Sequence, residues 1–295
     1  MRFGDLLLVQ GRRARDPAES WELVFTEKEG GSYFNGTYAS HPYTPRGERE
    51  LPPGSWDALQ ASCGVDALRQ VFIIPWAVRS IGLGNRKVIS PNSVLAIGGR
   101  AVGLWTEKPT PGIKITIPLD DVAAIEDVTI LLYGRLSFVP FGQQLTIRYN
   151  TVARRALEPV LLELRRKLAG APSAVPAEEQ AESGLPFKWH NLIRTAQVRM
   201  DPAAPVAFRF FAAPKRSRRE AGRCELLVLN PYELVYLCDP RDALHQYGED
   251  SFIVPRSRMT EVRAGECGAA VTSNGARISI PMEGGLSRTA AAWCG

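Results

Sequence analysis

The chain has 295 residues, about twice the usual domain length, so two domains with separate cores are expected. Its 45% hydrophobic, 23% charged and 8% aromatic composition excludes a wholly disordered, collagen-like or disulfide-dense protein. Lys plus Arg number 36 against 31 Asp plus Glu, a net charge of +5 and a pI near 9.0, which permits anionic partners without requiring them.

The first eleven residues, MRFGDLLLVQG, hold only a short apolar run after Asp5, too little for a signal peptide. The longest apolar run, 71–78, is interrupted by Pro75 and falls short of the ~20 residues of a membrane-spanning helix. Five widely spaced cysteines without a C-x-x-C pair read as reduced thiols, so a cytoplasmic protein without a zinc site is expected. Residues 1–70 read as an extension packed on the first domain. Residues 21–25 are strand-like, 30–54 are rich in Gly, Pro and Tyr, and 55–70 are helical with Trp56, Leu59, Cys63 and Leu68 broadly on one side.

Short strand-like runs follow at 71–74, 94–97, 102–106, 113–117, 122–125, 129–133 and 145–149. Ile113, Ile115 and Ile117 alternate with Lys114 and Thr116, and Leu145, Ile147 and Tyr149 alternate with Thr146 and Arg148, the period of a half-buried antiparallel sheet. Gly82-Leu83-Gly84 lacks the third glycine of a dinucleotide fingerprint and reads as a hairpin turn. Residues 151–169 carry Ala153, Leu157, Val160, Leu161, Leu164 and Leu168 on one stripe, with Arg165, Arg166 and Lys167 in the last turn and Gly170 as a C′ residue. Pro159 is expected to kink this helix or to start it afresh. The Pro, Ala, Ser and Glu of 171–184 then read as a linker, with the domain boundary there.

The second half repeats the order of the first. AVGLWTE (101–107) corresponds to YELVYLC (232–238), and ITIPLDDVAAIED (115–127) to FIVPRSRMTEVRA (252–264). FGQQLTIRYNTVARRAL (141–157) corresponds to SNGARISIPMEGGLSRTAAAW (273–293), and FIIP (72–75) to FRFFAAP (208–214).

A meander of about seven strands closed by one C-terminal amphipathic helix, used twice, resembles the pleckstrin-homology-like (PH-like) superfamily and its bacterial members in particular. The resemblance implies a mainly β fold with terminal α-helices: two partly open β-barrels in tandem, at 71–170 and 185–295, after the N-terminal extension. The second repeat stops at Gly295, about two turns into its helix, which implies either a minimal cap or a truncated chain. The family carries no invariant active-site motif, so no catalytic residue and no cofactor is implied.

His41, His190 and His245 lie in loop or linker segments without metal-ligand spacing, and the nucleophile elbow, phosphate loop and H-E-x-x-H motifs are absent. An enzyme would have to be assembled from scattered acids such as Asp120, Asp121, Asp239 and Asp242. The strongest binding motif is Lys215-Arg216-Ser217-Arg218-Arg219-Glu220-Ala221-Gly222-Arg223, in the loop between the presumed first two strands of the second repeat. Lys215, Arg216 and Arg218 are similar to the K-x(n)-[KR]-x-R pattern with which lipid-binding PH domains grip inositol phosphates. Convergent cations on one loop suit phosphate or an anionic leaflet, and Arg219 and Arg223 add to them. The first repeat offers only Arg79, Arg86 and Lys87. A protein partner is the first expectation, because PH-like barrels recruit peptides by sheet edges or the groove beside the helix. Tyr33, Tyr38 and Tyr43 could contribute contact area to such a surface. A nucleic-acid module ranks third, since no basic stripe is interleaved with stacking aromatics.

Overall fold

A computed structural model describes residues 42–74, 77–81, 85–90, 92–107, 111–130, 133–140, 145–151, 154–176, 189, 204–212, 224–239, 248–265 and 268–294. Within them the chain is mainly β, with three α-helices: α1 (Ser55–Cys63), α2 (Arg154–Leu168) and α3 (Gly284–Cys294). None of these helices is long and apolar enough to cross a membrane. No sheet closes on itself among the described residues.

The first half holds β1 (Val71–Ile74), β2 (Ala77–Ile81), β3 (Asn85–Ser90), β4 (Ser93–Ile97), β5 (Ala101–Thr106) and β6 (Gly112–Pro118). A 3-10 turn (Leu119–Asp121) leads into β7 (Val122–Ile130), β8 (Tyr133–Pro140), β9 (Leu145–Asn150) and α2. The second half holds β10 (Ala207–Ala212), β11 (Cys224–Leu229), β12 (Glu233–Cys238) and β13 (Gly248–Pro255). Another 3-10 turn (Arg256–Arg258) leads into β14 (Met259–Gly265), β15 (Gly268–Ser273), β16 (Ala276–Ile280) and α3. Apart from α1 with its flanking 3-10 turns and the β2–β3 hairpin, the described elements follow in the same order in the two halves.

The corner between the fourth and fifth strands is built alike in both. Pro118 stands opposite Ala101, the first residue of β5, and Pro255 stands opposite Glu233, the first residue of β12. One residue on, the Leu119 N–H donates to the Arg100 carbonyl at 2.9 Å and the Arg256 N–H donates to the Tyr232 carbonyl at 2.8 Å. Proline fits this position because a non-bonded antiparallel pair asks no N–H of it.

Two compact units emerge from the contacts: Met1–Leu119 with Leu132–Gly134 and Leu145–Leu161, and Asp120–Leu131 with Arg135–Gln144 and Leu162–Gly295. In the first, an antiparallel sheet has the order β1-β4-β5-β6. β4 and β5 are buried along their whole length, and α1 covers one of their faces, where Leu59 and Cys63 meet Val71, Ile73, Val94, Ala96 and Trp105. Gly64, at φ +70°, ends that helix in the left-handed region open to glycine. The approach is close: a Cβ on Gly98 would fall 2.0 Å from the Cys63 carbonyl oxygen, and one on Gly103 would fall 2.3 Å from the Cys63 sulfur. Arg100 caps the helix end, its main chain donating to Cys63 O at 3.0 Å and its guanidinium to Ala61 O at 2.7 Å.

In the second unit, strands run in the order β10-β11-β12-β13-β7-β8, beside a separate β14-β15-β16 sheet. β11 and β12 are near-continuous apolar runs, and the pleat divides them. Leu227, Leu229, Leu234, Tyr236 and Cys238 join the core under β14–β16 and α3, whereas Leu226, Val228, Val235 and Leu237 pack with Trp189 and Phe208. Trp189 therefore covers the outer face of its sheet as α1 covers that of β4 and β5. The sequence carries Trp56-x-x-Leu59 in one segment and Trp189-x-x-Leu192 in the other.

Several expected elements need correction. Residues 122–125 and 129–133 are not two strands, since β7 runs unbroken to Ile130 and β8 starts at Tyr133. The helix does not start afresh at Pro159: α2 is one helix with Pro159 inside it, starting at Arg154 rather than 151. Gly170 is explained by proximity as well as by helix termination, because a Cβ there would meet Ser257 Cβ at 2.4 Å while the Ser257 hydroxyl donates to Leu168 O at 3.0 Å. The segment expected to be linker begins docked. Ser173 N–H donates to Pro231 O at 2.9 Å, and the Arg256 guanidinium donates to Ala174 O at 2.9 Å and Asn230 O at 3.2 Å.

Candidate functional site

Most of the expected basic site, Lys215, Arg216, Arg218, Arg219 and Arg223, lies outside the described residues, as do Tyr33 and Tyr38. Its frame is described. β10 and β11 pair antiparallel, with Ala212 opposite Cys224 at the two strand ends between which 213–223 fall in the sequence. Beside that frame the Asp239 carboxylate accepts the Cys224 N–H at 2.9 Å.

In the first repeat the corresponding connection runs between Ile74 and Ser93, which stand opposite each other. It contains the β2–β3 hairpin, in which Arg79 is opposite Lys87 and Ser80 opposite Arg86. The turn expected at 82–84 lies outside the described residues, between Ile81 and Asn85, which stand opposite each other. Arg79, Arg86 and Lys87 are thus brought to one hairpin.

Tyr43 sits on the outer edge of β1. Its N–H donates to Ile73 O at 3.0 Å and its carbonyl accepts the Ile73 N–H at 2.8 Å, the reciprocal pair of an antiparallel bridge. Its side chain remains 38% exposed. The segment before the first repeat thus adds itself to a sheet edge in cis.

The acids weighed for catalysis do not converge among the described residues. Asp120 is a fully exposed carboxylate 3.6 Å from Arg258, and Asp239 serves the Cys224 main chain; Asp242 lies outside the described residues, with all three histidines. No group of three or more His, Cys, Asp or Glu that could hold a metal occurs among the described residues.

The feature that sequence reasoning missed is a matched set of sheet edges. β13, the fourth strand of the second repeat, pairs with β7, the fifth strand of the first, with Ile253 opposite Ile125 and Phe252 opposite Glu126. The equivalents left over, β6 and β14, are both edge strands. Antiparallel pairs alternate between bonded and open. Counting back from Leu119–Arg100 and from Arg256–Tyr232, Thr116 turns its main-chain N–H and C=O away from β5, as Ile253 turns them away from β12. Ile253 meets β7 with them; Thr116 has no such strand among the described residues. Gly265 stands opposite Gly268 with only two residues between them in the sequence, a spacing that makes them a bonded pair, so by the same alternation Val262 and Ala264 face away from β15. Thr260, Glu261, Arg263, Ala264 and Gly265 are exposed. The signal was in the sequence as the matched Pro118 and Pro255, but it acquires meaning only once the register is known.

Comparison with known proteins finds no matching family model and no matching curated sequence.

Proposed function

We propose that the chain is a non-catalytic intracellular adaptor or scaffold that holds a protein partner by strand addition, with each repeat a PH-like module. The module reading is supported by the shared order of four strands, a 3-10 corner, three strands and a helix in both halves. The observation that carries the binding reading is the main chain of Thr116 in β6, which no strand among the described residues engages, at the position where Ile253 of β13 engages another strand. Outward N–H and C=O groups in a row offer an extended peptide both affinity and register. The outer faces of β4–β5 and β11–β12 are already covered, by α1 and by Trp189, which directs the reading to the edges rather than to those faces. The test is affinity capture with the full chain and with Thr116→Pro, followed by crosslinking from Lys114. The reading expects a captured partner crosslinked beside β6 and lost with the proline variant; partners retained in full by the variant would contradict it.

A second reading, contact with an anionic headgroup or phosphate, is favoured by the five cations Lys215, Arg216, Arg218, Arg219 and Arg223 that the sequence places between the paired residues Ala212 and Cys224. Co-sedimentation with anionic vesicles across a salt series tests it. Binding lost on changing Lys215, Arg216, Arg218 and Arg219 to Ala supports this reading, and no binding by the parent excludes it.

A further inference from the structure

We infer that the strand partner of β6 is β14 of a second copy of this chain, an inference that rests on reading these edges as strand acceptors. Within one chain, the fourth strand of one repeat already pairs with the fifth strand of the other, as β13 with β7. The two strands of those same ranks left at sheet edges are β6 and β14. Carrying the Ile253–Ile125 register over by the repeat places Thr116 of one copy opposite Val262 of the next. Ile115 then faces Arg263, and Ile117 faces Glu261.

The hydrogen-bond phase agrees with this register, which the repeat alone does not guarantee. Ile253 turns its main-chain groups toward β7, and its counterpart Thr116 turns the same groups outward. Val262, the counterpart of Ile125, is outward by the phase of the β14–β15 hairpin. A one-residue slip would set bonded positions against open ones and bring opposite side-chain faces together. The contact is heterologous, since it joins different surfaces of the two copies, so each added copy carries a fresh β6 or β14.

Sedimentation velocity of the full chain over a micromolar concentration series tests this. The parent is expected to gain mass with concentration. Thr116→Pro and Ala264→Pro each remove an outward N–H without touching a bond to the neighbouring strand, and each is expected to raise the concentration of half-association about tenfold or more. A mixture of the two variants is expected to form one-to-one dimers that grow no further, because each retains the edge that the other lacks. Should a proline variant fail to fold by circular dichroism, crosslinking of mixed 14N and 15N parent copies with a reagent that joins an amine to any neighbouring residue decides, with Lys114 of one isotope joined to Val262 or Ala264 of the other. A parent that stays a single chain throughout and yields no mixed-isotope crosslink overturns the inference. If that parent still captures a different protein through Thr116, the edge reading stands and the second copy is the wrong occupant.

Discussion

Arg165, in the last turn of α2, grips Glu233 at the start of β12 with two parallel bonds, Nε to Oε1 at 2.8 Å and an Nη to Oε2 at 2.5 Å, both side chains being almost wholly buried. Such a fork matches guanidinium to carboxylate and leaves little of either charge unpaired. Asn230 fixes the acid's backbone by accepting the Glu233 N–H at 2.8 Å. Removing one partner strands the other in a dry site, so Glu233→Ala or Arg165→Ala is expected to cost about 3–5 kcal/mol. The paired replacement Arg165→Met with Glu233→Leu should cost less than either single change. Urea unfolding of the three variants checks this order; equal losses for single and double variants would contradict it.

The α1 contact predicts an ordered set of glycine effects. Gly98→Ala and Gly103→Ala press a methyl into Cys63, at its carbonyl oxygen and its sulfur respectively, whereas a Cβ on Gly99 meets nothing nearer than 3.6 Å. The first two are expected to destabilise by about 1–3 kcal/mol or more and Gly99→Ala by less. Shrinking the sulfur site with Cys63→Ala should restore part of the Gly103→Ala loss and none of the Gly98→Ala loss, because the backbone carbonyl stays in place. Thermal melts of the single and double variants read the difference.

Much of this arrangement was legible from residue order. The strand at 71–74 falls where its apolar run put it and that at 145–149 where alternation put it, and the correspondence of Pro118 with Pro255 reflects a real corner bond. β8 was missed because the expected run 129–133 ends at Tyr133, where β8 begins. Gly134 is a strand glycine for a steric reason: a Cβ there would lie 2.4 Å from the Tyr149 ring. β2 and β3 were missed because AVRSI and NRKVIS are too polar to show a core face. The open edges could not be read at all, because edge status depends on which strand lies beside which, and two strands of similar pattern, β6 and β13, differ only in that.

Burial pushes the Cys294 thiol up to about 11, with the Arg256 charge pulling weakly the other way, and burial also raises Cys63. At pH 8 both thiols are expected to react with iodoacetamide far more slowly than a free thiol, and to do so fully on unfolding. The folded state holds the Cys294 proton above the unfolded pKa near 9.0, so this contribution is intact below pH 9 and declines as pH rises toward 11. Alkylation followed by peptide mass spectrometry checks the first point, and urea midpoints at pH 8 and 10.5 in Cys294→Ser and parent check the second. A Cys294→Ser variant with the same alkaline loss as the parent would contradict the assignment.

Arg256 staples the start of the presumed linker by donating to Ser173 O at 3.3 Å, Ala174 O at 2.9 Å and Asn230 O at 3.2 Å. Arg256→Ala leaves three carbonyls without this donor and is expected to cost about 1–3 kcal/mol. Limited proteolysis should then cleave within 170–176 faster than in the parent. An unchanged cleavage rate there would mean that Val175 packing alone holds the segment.

The measurement that reaches the central claim most directly is hydrogen exchange at two amides in one sample, Thr116 and Ile253. They hold the same rank in the two repeats, and Ile253 is already paired with β7. In dilute protein the account predicts a slow Ile253 amide and a fast Thr116 amide, with Thr116 slowing toward Ile253 as chain concentration rises. A Thr116 amide that is slow even in dilute protein, or fast at every concentration and in every captured complex, would contradict strand addition at β6.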